Sequence, residues 1–458
     1  MTYAAARNLA RPTPQPAAQP APGAPGGLPR LLPGRGAAPA DLRSHLERHG
    51  RPPYRGQSAR LIPVLQESGL TGRGGAAFPV HRKLTAVIEA GPRPIVIGNG
   101  AEGEPASDKD KALLRIAPHL VLDGLQLAAE AVGARSVGLY LHRGSGRPEQ
   151  LRAVLAERAA AGIDRRPVEI IDAPARFLAG EESALASRAD GGPARPRFKE
   201  PRVFERGVAG RPTLVQNVET LAHLALIARY GARWFRSLGT AGEPGTMLCT
   251  VHQTDGTRQV VEAALGTPLR DLVALDDRAS AAGGSGGSSP WASTAQAVLV
   301  GGYHGAWLPA GQAARMTLSN AALRPAGGFV GAGVLVALPA DRCGIAETAR
   351  VTRFLALESA GQCGPCFNGL PRIATALDEL AGPRPDPQVR ADIQRWAGLV
   401  QGRGACHHPD GTVRFVRSAL QVFAAEIERH ARGRCTAPGA PPFLPLPPGA
   451  PATDADWS

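Results

Sequence analysis

Lysine is nearly missing from this chain: only Lys83, Lys109, Lys111 and Lys199 accompany 48 arginines. Aromatic residues make up 5%, and no stretch interleaves them with basic side chains as a nucleic-acid groove would. The formal net charge of +13 is therefore not read as a nucleic-acid footprint. Cysteines number six in 458 residues, too few for a disulfide framework. No apolar run approaches the ~18 residues of a membrane span, and the amino-terminal residues lack the apolar core of a signal peptide. A cytoplasmic chain with no direct membrane span is expected. Acidic residues are scarce at the start, where eight arginines face only Asp41 and Glu47 in residues 1–57. Much of the excess charge thus belongs to an arm rather than a folded face, and suits attraction to an acidic partner protein or an anionic cofactor.

What is present is small and apolar. With 43% hydrophobic residues the chain can build several packed cores and is not disordered throughout. Residues 1–57 carry 11 prolines and read as a flexible basic arm with one short helix at Asp41–Arg48. Residues 436–458, with seven more prolines, read as a second flexible tail, and ASAAGGSGGSS (Ala279–Ser289) as a flexible loop. Between them, residues 58–238 alternate helical segments (Leu61–Ser68, Pro79–Ala90, Pro118–Gly133, Pro148–Ala161, Thr213–Tyr230) with short apolar runs at 94–99, 136–142 and 167–174. That alternation predicts a layered α/β domain with helices on both faces of a parallel sheet. Residues 239–340 hold strand-like runs at 247–253, 258–266, 296–302 and 331–339, with one helix capped by Thr267. They predict a small mixed β domain. Residues 341–435 show apolar spacings of three and four (Phe354 and Leu357; Leu370, Ile373, Leu377 and Leu380; Val389, Ile393 and Trp396; Val416, Leu420, Phe423 and Ile427), which predict a four-helix bundle. The fold class is α/β multidomain.

Four polar, glycine-rich segments sit at strand ends or helix starts of the first domain. SGLTGRGGAAFP (68–79) frees the backbone at Gly72, Gly74 and Gly75 and places Arg73 and Lys83 near a helix start suited to phosphate; a turn without a ligand would look the same. GNGAEGEP (98–105) follows a strand and sets Asn99, Glu102 and Glu104 where open α/β sheets bind ligands. Its acids suit hydroxyl and ring N–H groups of a nucleotide or flavin. AGEESAL (179–185) puts Glu181 and Glu182 at a helix start, where capping alone would also explain them. PTLVQNVETLA (212–222) presents Gln216, Asn217 and Thr220. In the helical region Cys363-Gly-Pro-Cys366 and Cys406 lie at helix junctions, where thiolates hold zinc or an iron–sulfur cluster. Cys249, Cys343 and Cys435 look isolated and inert.

Together these segments resemble the NADH-binding flavoprotein subunit of respiratory complex I and its relatives in NAD-linked hydrogenases and formate dehydrogenases. GRGGAAFP is similar to that family's GRGGAGFP, NGAEGEP to NADEGEP, AGEESAL to CGEETAL, PTLVQNVETLA to PTTVNNVETLA and ESAGQCGPCFNG to ESCGQCTPCREG. The resemblance implies an FMN/NAD-binding α/β domain, a ubiquitin-like β-grasp (soluble-ligand-binding) domain and a four-helix bundle of iron–sulfur type. It implies that Gly72, Gly74, Gly75 and Lys83 face the FMN phosphate or the nicotinamide cofactor. Asn99, Glu102, Phe177, Gly180, Glu181, Glu182, Gln216, Asn217 and Thr220 would line the flavin. Phe78 would stack on the adenine of NADH, with Glu104 and Glu182 nearby, and the bundle cysteines would hold a [4Fe–4S] cluster. The flavin itself carries the hydride transfer, so no catalytic side chain is assigned.

Three positions depart from the family. Ala360 stands where the first cluster cysteine belongs, leaving Cys363, Cys366 and Cys406, with His407 or His408 as substitutes; a three-iron cluster, a zinc site or an empty bundle are the alternatives. Ala101 replaces the aspartate of NADEGEP. Arg202 replaces an aromatic that sandwiches adenine; it would favour the extra phosphate of NADPH, or equally mean that no nicotinamide binds. The expected function is an FMN-dependent NAD(P)H oxidoreductase subunit passing electrons to an iron–sulfur or ferredoxin-like partner within a redox complex. The alternative is a structural or interaction subunit of the same fold without a redox route.

Overall fold

The computed structural model describes residues 27–32, 39–53, 60–198, 200–273, 295–447 and 453–458. Most of the amino-terminal arm and the Ala279–Ser289 loop lie outside the described residues. The first sheet is parallel, in the order β3-β2-β1-β4, with β1 Ile95–Asn99, β2 Ser136–His142, β3 Glu169–Ala173 and β4 Thr213–Asn217. Alternate residues of these strands face opposite ways. Val96, Val137, Leu139 and Leu214 enter a large core with Leu61–Ser68, Val80–Ala90, Pro118–Ala131 and Val218–Phe235. Ile95, Ile97, Tyr140 and Val215 point to the other face, covered by Leu185 of the helix Glu182–Ala189. Helices thus lie on both faces, thickly on one and thinly on the other.

The helix expected at Thr213–Tyr230 is corrected. Its first turn is strand β4, drawn into the sheet by pairing with β1, and the helix begins at Val218 with Asn217 as N-cap, its side chain accepting the Glu219 N–H at 3.0 Å. Local apolar spacing could not show that a sheet edge would claim five of its residues. A further helix, not among those expected, spans Lys109–Ile116.

The second sheet is mixed, ordered β6-β5-β9-β7-β8: β5 Thr246–His252, β6 Arg258–Ala264, β7 Ala295–Val300, β8 Ala306–Pro309 and β9 Val334–Pro339. The β5–β9 pair is parallel and the others antiparallel. Thr267 does not cap a helix here; its hydroxyl bonds the Ala264 carbonyl, and Leu269–Leu272 follows Pro268. One face of this sheet (Leu299, Val334, Val336, Leu338) packs on the third region, which is wholly helical: Gly344–Leu357, Leu370–Leu380, Val389–Val400, His408–Val422 and Ala424–Ala431. The last expected helix is broken at Phe423. Among the described residues no single helix is long and apolar enough to cross a membrane.

Neither end is loose where it is described. Arg30 is buried, stacked 4.1 Å over the Trp234 ring, and its guanidinium donates to the Phe235 carbonyl and Ser237 hydroxyl. At the other end Phe443 and Leu444 donate their N–H groups to Glu347 at 3.0 and 2.9 Å. Trp457 is buried against Leu178 and Ala360, its ring flanked by Arg176 and Arg195. Proline-rich composition signals lack of regular structure, but such a segment still docks where apolar anchors and carboxylates await it.

Among the ties between the first two regions is a buried charge. Lys109 Nζ lies 2.7 Å from Asp110 and 2.9 Å from Glu219. Glu219 reaches on to the Leu248 N–H of β5 at 2.8 Å, and Asp110 accepts from Asn217 Nδ2 at 2.6 Å. Burial works against the ammonium, but Asp110 and Glu219 outweigh it and hold its pKa above the ordinary lysine value. Burial likewise opposes the Glu219 carboxylate, and Lys109, His223 and Arg73 together pull it down to about 2. Lys109→Met is expected to destabilise the chain by about 3–5 kcal/mol, because two carboxylates lose their counter-charge in a dry site. Chemical denaturation of the variant against wild type measures it.

Candidate functional site

The crevice opens where the parallel sheet ends. Gly98 pairs with Gln216 and Asn99 with Asn217 across β1 and β4, and ligands of open α/β sheets bind outside such carboxyl ends. Over β4 lies the glycine-rich turn, closed by the Gly72 N–H on the Phe78 carbonyl at 2.9 Å. Gly75 has φ 110°, a backbone only glycine adopts freely. Gly74 is pressed so near β4 that a Cβ there would sit 3.2 Å from Asn217 Cβ.

The other segments join this turn directly. Asn99 Nδ2 donates to the Gly180 carbonyl at 2.8 Å, and a side chain at Gly180 would strike the Ala101 carbonyl at 2.6 Å. Lys83 Nζ donates to the Val215 carbonyl at 2.8 Å and pairs with Glu182 at 2.9 Å. The Arg73 N–H donates to Thr220 Oγ1 at 2.8 Å. Segments distant in sequence therefore meet at one mouth.

Several expected site residues also carry internal bonds. Glu102 accepts from Ser107 Oγ and from the Asp110 and Lys111 N–H groups, so it caps Lys109–Ile116. Glu181 caps Glu182–Ala189 through the Ser183 and Ala184 N–H groups. The Phe177 ring packs edge-on against His304 and Phe354. Arg73, expected near a phosphate, is buried instead, with its guanidinium donating to the Thr246, Thr71 and Pro244 carbonyls; it is a structural pin. Glu104 accepts the Tyr303 N–H at 2.9 Å and the Ala106 N–H at 3.3 Å, joining the first region to the turn after β7. Burial pushes its carboxyl up to about 7 against those two bonds.

What remains unused points to a ligand. Gln216 is buried, yet its Nε2 has no hydrogen-bond partner. Such a donor costs about 1–3 kcal/mol unless an acceptor arrives. Gln216 stands in β4 between Val215, whose carbonyl takes the Lys83 bond, and Asn217, against which Gly74 packs, and an amide donor there suits the carbonyl- and phosphate-bearing FMN. Phe78 is half exposed and Arg202 exposed. Close to Arg202, Asp190, Arg197, Phe198, Glu200, Pro201 and Arg206 line an open pocket of about 350 Å³.

In the helical region Cys363 Sγ and Cys366 Sγ are 3.5 Å apart. Burial pushes the Cys406 thiol up to about 12. Neither histidine supplies the missing ligand. His408 is buried and engaged with His304 at 3.0 Å and the Leu355 carbonyl at 2.8 Å, while His407 is largely exposed and lies beside Asp410. Ala360 packs on Trp457 and Leu178. The donor set fits a cluster with three protein thiolates, not four.

Fold and crevice define an α/β protein with a ligand crevice at the carboxyl end of its parallel sheet, joined to a cysteine-bearing helical region. Residues 65–226 match the Nuo51 FMN-binding domain, and residues 346–430 the NADH-ubiquinone oxidoreductase-F iron-sulfur binding region. The chain is 30% identical over 386 residues to the F 2 subunit of NADH-quinone oxidoreductase in Rhizobium meliloti (strain 1021), covering 82% of this chain and 89% of the relative. To the F subunit of the Streptomyces coelicolor enzyme of the same name it is 28% identical over 394 residues, 82% and 83% of the two chains. Its fold matches a chain of the NAD+-reducing [NiFe]-hydrogenase in the H2-reduced state with a TM-score of 0.70 and 31% identity, over 81% of this chain and 62% of that one. The chain belongs to the family of NADH-quinone oxidoreductase F subunits, which are FMN-dependent electron-transfer oxidoreductases with an iron–sulfur region.

Gln216→Leu is expected to leave the flavin-free chain equally stable or about 1 kcal/mol more stable, and to weaken FMN binding about tenfold; thermal unfolding and fluorescence titration read the two effects. Because the Glu104 carboxyl is raised from 4.5 to about 7, its contribution to stability is full below its unfolded pKa and is lost as pH rises through about 7. Glu104→Gln should flatten that part of the stability–pH curve, measured by denaturation at stepped pH.

Proposed function

We propose that the chain accepts electrons from NADH or NADPH at FMN held in the crevice, and passes them towards Cys363, Cys366 and Cys406 and on to an iron–sulfur or ferredoxin-like partner. What supports this reading is the meeting of segments distant in sequence at the carboxyl end of the parallel sheet, through Asn99 and Gly180, Lys83 and Val215, and Arg73 and Thr220, with the buried Gln216 amide on β4 left unpartnered. FMN supplies the hydride-accepting and single-electron chemistry when bound. The protein's part is placement: the free backbone around Gly72, Gly74 and Gly75, with Lys83, for the phosphate, and Asn99, Glu182 and Gln216 for the ring. Glu102, Phe177, Gly180, Glu181, Asn217 and Thr220 shape the walls around them. Phe78 offers an exposed ring for adenine, Glu104 and Glu182 approach the nicotinamide side, and Arg202 favours a phosphorylated ribose.

The mixed sheet with its short helices supports a β-grasp reading of residues 239–340, and the helices from Gly344 to Ala431 support a four-helix bundle with its last member broken. Relatives named as subunits of NADH-quinone oxidoreductase, and the NAD+-reducing hydrogenase, support a place in a redox complex, here taken to be cytoplasmic. A second reading, a non-redox subunit, is favoured by Ala360 and by Trp457 packed upon it.

Anaerobic reconstitution with FMN, iron and sulfide separates the two readings. The redox reading expects a flavin spectrum that bleaches on titration with NADH or NADPH, and iron that falls sharply in Cys406→Ala. A chain that stays colourless, or a flavin that neither nicotinamide reduces, supports the non-redox subunit.

A further inference from the structure

Cys343 and Cys435, isolated in the sequence, are brought together by the fold. Cys343 is the N-cap of Gly344–Leu357 and Cys435 follows the end of Ala424–Ala431. That last helix presents Glu426 and His430 one turn apart on a single face. The four side chains offer ligand atoms that all lie within 4.8 Å of one another, and three of the four residues are buried.

We propose that Cys343, Cys435, His430 and Glu426 form a structural zinc site, separate from the Cys363, Cys366 and Cys406 group. The two distances that involve His430 match those around a tetrahedral ion. Zn–S near 2.3 Å and Zn–N or Zn–O near 2.0–2.1 Å place sulfur and nitrogen ~3.5 Å apart, and nitrogen and oxygen ~3.3 Å apart. Here Cys343 Sγ is 3.4 Å from His430 Nε2, and His430 Nε2 is 3.3 Å from Glu426 Oε1.

The outer shell is that of a ligand set. His430 Nδ1 lies 3.1 Å from the Gly382 carbonyl, which can only accept, so Nδ1 carries the proton. In the neutral ring the Nε2 lone pair is then aimed at the Cys343 thiol, which can donate to it, and at a carboxylate oxygen of Glu426, which can only accept. A cation between them resolves that clash, and second-shell carbonyls fix metal-binding histidines in this way. The Ala346 and Ala437 N–H groups donate to the Cys343 and Cys435 sulfurs, each at 3.4 Å, which favours thiolates. Glu426 is steadied by the Thr436 N–H at 2.7 Å and by the Thr436 hydroxyl. Arg429 Nε, 3.9 Å from Glu426, partly offsets the excess negative charge. Without a cation, burial pushes the Cys343 thiol up to about 12; a coordinated metal reverses that. The ion would staple the chain beyond the last helix to the start of the first helix of the region.

The test uses the full chain carrying Cys363→Ser, Cys366→Ser and Cys406→Ser, purified anaerobically with reductant. Metal analysis is expected to find about one zinc per chain, and cobalt in its place to give thiolate charge-transfer and tetrahedral d–d absorption. Adding Cys343→Ser and Cys435→Ser should remove at least nine-tenths of the zinc, and Cys435→His, which keeps four ligands, should restore it. Circular dichroism of each variant checks folding. Zinc unchanged by the Cys343 and Cys435 substitutions would overturn the proposal. So would absence of zinc, or a mass lower by two hydrogens from a Cys343–Cys435 disulfide.

Discussion

The buried ammonium of Lys109 is the constraint on which the crevice depends. It sits at the start of a helix that Glu102 caps, and it neutralises Asp110 and Glu219. Through Asp110 it fixes Asn217, the last residue of β4, and through Glu219 it reaches the backbone of β5. A charge this dry is tolerable only with its partners in place, so the strand end, the capped helix and the second sheet are held in one arrangement. Any ligand binding over β4 meets walls already set, which lowers the ordering cost of binding.

Much of the fold was legible in the sequence. Leu61–Ser68 and Ser136–His142 have the expected bounds because an apolar stripe and a short apolar run are local signals. Thr213–Asn217 was not legible as a strand, since its identity depends on pairing with β1 rather than on its own spacing. The docked ends escaped for a similar reason. Trp457 is anchored by Arg176 and Arg195, two residues remote in sequence.

The segments that make the crevice could be picked out by their glycines and paired acids, but the division of labour within them could not. Glu181 and Glu182 are neighbours, yet one closes a helix end and the other meets Lys83. Arg73 is a cation beside a glycine turn, yet its guanidinium is consumed by backbone carbonyls. Motif spelling records which residues a site needs without separating those that touch a ligand from those that hold the walls. Likewise Cys363 and Cys366 lie together as their spacing implies, while Cys343 and Cys435, scattered in the sequence, meet only in space.

The central claim is that segments around 71–76, 99–104, 177–182 and 215–220 form one flavin site. Hydrogen–deuterium exchange of the full chain with and without FMN addresses it most directly. The account predicts that peptides from all four segments slow their exchange together and at the same FMN concentration. Slowing confined to a single segment, or none in any of them at saturating FMN, would contradict it.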